Sequence, residues 1–166
     1  MSMTQIACTV MIGIGASLMM DGWNLIVKWV FGLPSLNYCL LGRWVRHMAE
    51  GKFAHNSISA AEPRSFECAV GWFAHLGIGV TFAFGLVSLV SADWLEQPKL
   101  LPALIYGIAT VVFPFFLMQP ALGLGIASAR SPHPAQARIK SLATHTVFGV
   151  GLYLCALGVS RLLFPQ

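Results

Sequence analysis

Residues 100–127 read LLPALIYGIATVVFPFFLMQPALGLGIA, and none of them carries a charge. A helix needs about 20 apolar residues to cross a hydrocarbon core of ~30 Å. In lipid every backbone N–H and C=O must be satisfied internally, which a helix does and an open strand does not. The alternation of a barrel strand is missing from the stretch. It is therefore predicted to be a transmembrane helix. Pro102 falls in its first turn, where a missing N–H costs little. Pro114 falls in its interior, where it should bend the helix.

Three further segments of the same kind lie around it. One covers about residues 6–30 and is interrupted by Asp21 and Lys28; a second covers about 68–90 and contains His75. The third, about 141–164, contains His145 and extends toward Phe164. Across the 166 residues, 57% are hydrophobic and 10% charged, with a mean hydropathy of +0.73. A soluble domain carries about 25% charged residues, so lipid must cover much of this chain. The predicted fold class is all-α: a polytopic membrane protein in which residues 1–166 form one transmembrane bundle of four helices. No Lys or Arg precedes Lys28, and no A-x-A site follows the first segment, so it reads as a span and not as a signal peptide. Gly13 and Ser17 form a small-xxx-small pair that would let the first helix approach a neighbour closely.

Basic residues set the predicted orientation. Lys28, Arg43, Arg46, Lys52, Arg64, Arg130, Arg138 and Lys140 flank the first and third loops, while Lys99 and Arg161 lie on the other side. The positive-inside rule places loops one and three in the cytoplasm and both termini outside. The net charge of +4 is spread along these flanks, which argues against a nucleic-acid partner. The lipid bilayer is the expected partner, with a homo-oligomer or another membrane protein as further options.

Loop one, about residues 31–65, is too long for a simple connector. Leu41, Trp44, Val45 and Met48 recur at i, i+3, i+4, i+7, while Arg43, Arg46, His47 and Glu50 occupy another face. This pattern predicts an interfacial amphipathic helix over about Ser35–Glu50, capped by Ser35, serving as an anchor in preference to a lid. The stretch Phe53-Ala54-His55-Asn56-Ser57 is polar and loop-like, and the sequence assigns it no role. Cys8, Cys39, Cys68 and Cys155 form no C-x-x-C motif. Those in or beside apolar segments read as small hydrophobes.

Intramembrane ionisable groups face the interior of a bundle and carry function by default. Asp21, His75 and His145 fall at similar predicted depth, with Asn24 one turn from Asp21, Thr144 beside His145, and Gln119 deeper. An Asp with two His suits cation binding or proton relay, so the preferred reading is ion or small-molecule handling. One alternative is a structural or assembly partner in a membrane complex. A further alternative is a haem- or metal-binding redox subunit. In that reading His75 and His145 ligate haem, with the glycine one turn after each making room for a porphyrin. A metal would take the two histidines with Asp21. The sequence demonstrates no cofactor. An enzyme is the least supported class, because G-x-S-x-G, H-E-x-x-H and the phosphate loop are all missing.

The second and fourth segments also resemble each other. Each has a small residue four before its histidine and a glycine four after it, Gly71/Gly79 around His75 and Ser141/Gly149 around His145. Gly15-Ala16-Ser17 likewise parallels Ile108-Ala109-Thr110. A duplicated two-helix unit would produce both patterns.

Met20-Asp21-Gly22-Trp23, Gly32-Leu33-Pro34-Ser35-Leu36-Asn37-Tyr38, Phe115-Phe116-Leu117-Met118-Gln119-Pro120 and Thr144-His145-Thr146-Val147-Phe148-Gly149 together carry a wider resemblance. The chain resembles an uncharacterised family of small bacterial inner-membrane proteins, a domain of unknown function. The resemblance covers nearly the whole chain. It implies a bacterial four-span inner-membrane protein and supplies no activity or site residue.

Reporter fusions test the orientation. A fusion at the C-terminus should be active only in a non-cytoplasmic reporter and one in loop three only in a cytoplasmic reporter; the reverse pattern would invert the topology.

Overall fold

The computed structural model describes residues 1–163, and the expected end of the fourth span at Phe164 lies outside them. The chain forms α1 (Met3–Phe31), α2 (Tyr38–Met48), α3 (Glu67–Val90), α4 (Leu100–Ala121) and α5 (Pro134–Leu163). No strand occurs among the described residues. Helices α1, α3, α4 and α5 are each long and apolar enough to cross a membrane.

Local chemistry explains the boundaries. α1 opens on a capping box in which Ser2 and Gln5 bond each other's backbone N–H, and it stops at Gly32, whose left-handed φ of 67° few other residues adopt. α4 changes winding at Pro114, which has no N–H to donate. Residues Pro114–Met118 are π-helical, and the Gln119 N–H reaches the Pro114 carbonyl. The helix ends at Ala121, short of the expected residue 127, because Gly123 and Gly125 turn left-handed with φ of 93° and 74°. α5 starts earlier than expected, at Pro134.

Two compact units are distinguished. The first comprises Met1–Pro34, Leu76–Thr110 and Ala143–Gln166. Its core contains Ile12, Ala16, Ala83, Leu86, Phe148 and Leu152. Its helices meet at residues without side-chain bulk. A Cβ added to Gly13 would lie 2.6 Å from the Val80 Cα, and one added to Gly79 would collide with Ser17 Oγ. The predicted Gly13/Ser17 face is thus the contact between α1 and α3. α4 meets α5 where Gly107 lies against the Gly149 backbone, and α5 meets α1 where Gly151 lies against Ala16. The Tyr106 hydroxyl lies over Gly85, joining α4 to α3. The four segments therefore contact one another in a ring. Both α1–α3 and α4–α5 cross on the glycine four residues after a histidine.

The second unit comprises Ser35–His75 and Val111–Leu142. α2 is present but starts later than predicted: Asn37, not Ser35, caps it by accepting the Cys39 N–H at 2.9 Å. Leu41 and Trp44 are buried against Ile58, Ala121 and Leu122, so the apolar stripe covers protein. Arg46 is exposed as expected, but Arg43 is not. Its Nε and Nη2 bond the two Glu67 carboxylate oxygens at 2.8 Å each, and its Nη1 bonds the carbonyls of Ile58, Ser59 and Ala61. A carboxylate 24 residues away in sequence overrides the facing that helical periodicity assigns. Cys39 and Cys68 are joined in a disulfide, which corrects the reading of Cys68 as a packing residue. Cys8 is buried and Cys155 half-buried, both as free thiols.

Two measurements follow. Gly107→Ala forces two helix backbones apart and should destabilise by about 1–3 kcal/mol. Gly158→Ala meets open space and should be neutral or stabilising by about 0.5–1 kcal/mol. Thermal unfolding in detergent compares them, and equal behaviour would refute the crossing. Alkylation of the denatured protein should label Cys8 and Cys155 without reductant, and Cys39 and Cys68 only after reduction.

Candidate polar site within the helices

α5 turns two neighbouring residues toward two different helices. Successive helical residues point about 100° apart, so Thr144 and His145 serve separate partners. Thr144 Oγ1 donates to Asn24 Oδ1 on α1 at 3.2 Å. His145 Nδ1 lies 2.8 Å from Thr110 Oγ1 on α4. The Thr110 hydroxyl also bonds the Gly107 carbonyl at 2.6 Å. A carbonyl only accepts, so the single hydroxyl proton goes to Gly107. His145 Nδ1–H then donates to Thr110, and the lone pair of the neutral ring sits on Nε2. The Gly107–Gly149 crossing makes this possible, because it brings α4 against α5 within one turn of His145.

The sequence-selected residues divide between the two units. Asn24 is buried and Asp21, Thr144 and His145 are half-buried in the first unit. His75 and Gln119 are buried in the second. The His75 ring stacks on Tyr38 at 4.3 Å, with Trp72 edge-on at 6.1 Å. Gln119 Nε2 donates to Ser141 Oγ at 3.4 Å, whereas its Oε1 is buried without a partner. Thr110 is the participant that sequence reasoning missed. Its signal was available, since Thr110 stands three residues after Gly107 and aligns with Ser17 in the internal repeat.

The redox alternatives lose ground on geometry. The glycines expected to make room for a porphyrin are already filled. Gly79 is packed by Ser17 and the Gly13 carbonyl, and Gly149 by the Ala103 carbonyl and Leu104. Small residues four after each histidine serve helix crossing, not cofactor space. Among the described residues no group of three or more His, Cys, Asp or Glu is placed to hold a metal ion.

No curated protein and no solved structure matches the chain. Residues 10–159 match the family described as "Protein of unknown function (DUF2938)". With that match running from α1 to near the end of α5, the chain belongs to this family, whose helices are long and apolar enough here to make it a multi-pass membrane protein.

Proposed function

We propose that the protein handles an ion, first of all the proton, or a small solute within the membrane, and that His145 is the group that takes up and releases the proton. The observation that carries this reading is the pair of contacts at Thr110, 2.6 Å to the Gly107 carbonyl and 2.8 Å to His145 Nδ1, from which the His145 tautomer is assigned. Thr110 holds Nδ1–H, which leaves Nε2 as the basic position on a spanning helix. Such a group is costly in lipid and is retained there for function. Asn24 and Thr144 give the neighbouring turn a polar lining, and Asp21 of the same unit completes the proposed site. The assembly-partner reading is weaker than the sequence suggested, because the Gly13/Ser17 face is already used inside the chain.

The proposed location is a bacterial inner membrane, with both termini on the non-cytoplasmic side. The basic residues of loop one support this orientation. The Cys39–Cys68 disulfide argues the other way, because such bonds persist in oxidising compartments.

Reconstitution into liposomes with an internal pH-sensitive dye tests the function. Wild type should dissipate an imposed pH gradient well above protein-free vesicles. His145→Gln and Asp21→Asn should lose at least 90% of that flux while remaining helical. Thr110→Val should retain part of it with a shifted pH profile, since the ring remains but loses its orienting acceptor. Wild-type vesicles no leakier than empty ones, or an unimpaired His145→Gln, would overturn the proposal.

A further inference from the structure

Of the stretch that the sequence left without a role, Phe53–Ser57, the residues Ala54, His55, Asn56 and Ser57 form one wall of a cavity of about 530 Å³ in the second unit. Lys52, His55, Asn56, Ser57, Pro120 and Arg130 line it, with alanines filling the remaining wall, and no carboxylate among them. The volume falls within the range of ordinary small-ligand sites, about 300–1,000 Å³.

The wall is fixed by its backbone. The His55 N–H donates to the Ala121 carbonyl at 2.8 Å, the Ile58 N–H to the Leu122 carbonyl at 3.1 Å, and the Arg130 N–H to the Leu124 carbonyl at 2.8 Å. Trp44 Nε1 donates to the Phe53 carbonyl at 2.8 Å. Gly123, at φ 93°, fits beneath the Asn56 carbonyl, where any Cβ would collide.

Charge is unbalanced there. The carboxylates of the same unit are already engaged, Glu67 with Arg43 and both Glu50 and Glu62 with Arg64. Lys52 and Arg130 have no acidic partner among the described residues. Between them His55 is only 8% exposed, and neither of its ring nitrogens has a hydrogen-bond partner. Its edge contact is His47, 4.9 Å away between ring centres, whose Nε2–H is committed to the Glu62 carbonyl at 2.9 Å. Leaving a buried polar atom without a partner is costly, so a doubly unsatisfied imidazole in a cationic cavity is a place prepared for an acceptor.

We propose that this cavity binds a phosphate group carried on a small organic body. Lys52 and Arg130 supply the two positive charges that match a phosphate monoester, Arg130 through its planar fork and Lys52 as a mobile point charge. His55 reaches the phosphate by a turn about its χ2, a soft torsion, and donates an N–H. The alanines and Pro120 receive the apolar part of the body, for which inorganic phosphate alone leaves space. A soluble phosphomonoester and a phospholipid headgroup share this chemistry.

The site should respond to pH. Burial, then the neighbouring His47 and Lys52, hold His55 below the usual imidazole value. The groups facing it are His47 on α2 and Lys52 beside it, with Arg130 across the cavity and no acid on its lining. Bound phosphate favours the imidazolium, so it should raise the His55 pKa, and by linkage binding should tighten as pH falls.

The test uses the full chain in phosphatidylcholine nanodiscs with glycerol 3-phosphate as probe. Binding is followed by calorimetry, and the His55 ring titration by NMR, assigned with His55→Gln. Saturating probe should move the His55 titration upward. Lys52→Ala combined with Arg130→Ala should weaken binding at least tenfold with no change in melting temperature, because both side chains are exposed. In nanodiscs containing phosphatidic acid, a raised His55 titration and loss of probe binding would assign the ligand to the bilayer. Unchanged probe binding there would assign it to solution. A His55 titration identical with and without both phosphates, or a double variant that binds as tightly as wild type, would overturn the proposal.

Discussion

Two helix backbones come into contact only where neither carries a side chain at the crossing, and the first unit is built on that constraint. Lipid tails are as apolar as leucine, so exclusion from water does not press helices together inside a membrane. What remains is close van der Waals contact and the hydrogen bonds that short distances allow. Gly13 with Gly79, and Gly107 with Gly149, bring the backbones that close. The functional consequence lies at the second crossing. A bulkier residue at Gly107 would move α4 outward and take Thr110 away from the 2.8 Å contact that holds the His145 ring.

The second unit adds charge to the same device, since Gly42 and Gly71 bring α2 against α3 there as well. Arg43 joins α2, the turn at Ile58–Ala60 and the start of α3 through five hydrogen bonds. Its bidentate pair with Glu67 is mostly withdrawn from water, and breaking such a pair costs more than either partner contributes alone. The Cys39–Cys68 bond ties the same two helices nearby. Loop one is thus an ordered structure whose acids are consumed by Arg43 and Arg64, which leaves its remaining cations free for another partner.

The parts of the fold legible in the sequence were those written in local pattern. Four long, largely apolar stretches gave four helices of spanning length, and the period of Leu41, Trp44, Val45 and Met48 gave α2. Small residues at Gly13 and Ser17 foretold a close contact. Pairings between distant residues were not legible. Nothing near Arg43 announces Glu67, and nothing near Cys39 announces Cys68, because each partner is brought in by the return of the chain. The glycines after His75 and His145 show a third kind of limit. Their spacing was visible, but empty space for a ligand and contact with a helix leave the same residue in the sequence. Thr110 was hidden for a related reason, since a threonine on an apolar helix becomes informative only once its neighbour is known.

Polar groups withdrawn from water separate into those the fold has answered and those it has not. Asn24, Thr144, Thr110 and His145 answer one another across three helices. Ser17 bonds the carbonyl one turn back at 3.0 Å, the usual resolution for a hydroxyl in an apolar helix. Arg64 leaves its Nε unpartnered, but its other two nitrogens reach Glu50 and Glu62. Trp23 and Gln119 each leave one atom unanswered. Among the buried side chains of the described residues His55 alone leaves two polar atoms without a partner, and it does so on the wall of a cavity lined by cations without acids. A folding sequence has many cheap remedies for one orphaned imidazole, from substitution by leucine to a nearby serine. Beside Lys52 and Arg130, an acceptor that arrives from outside the chain supplies the partner that the fold does not.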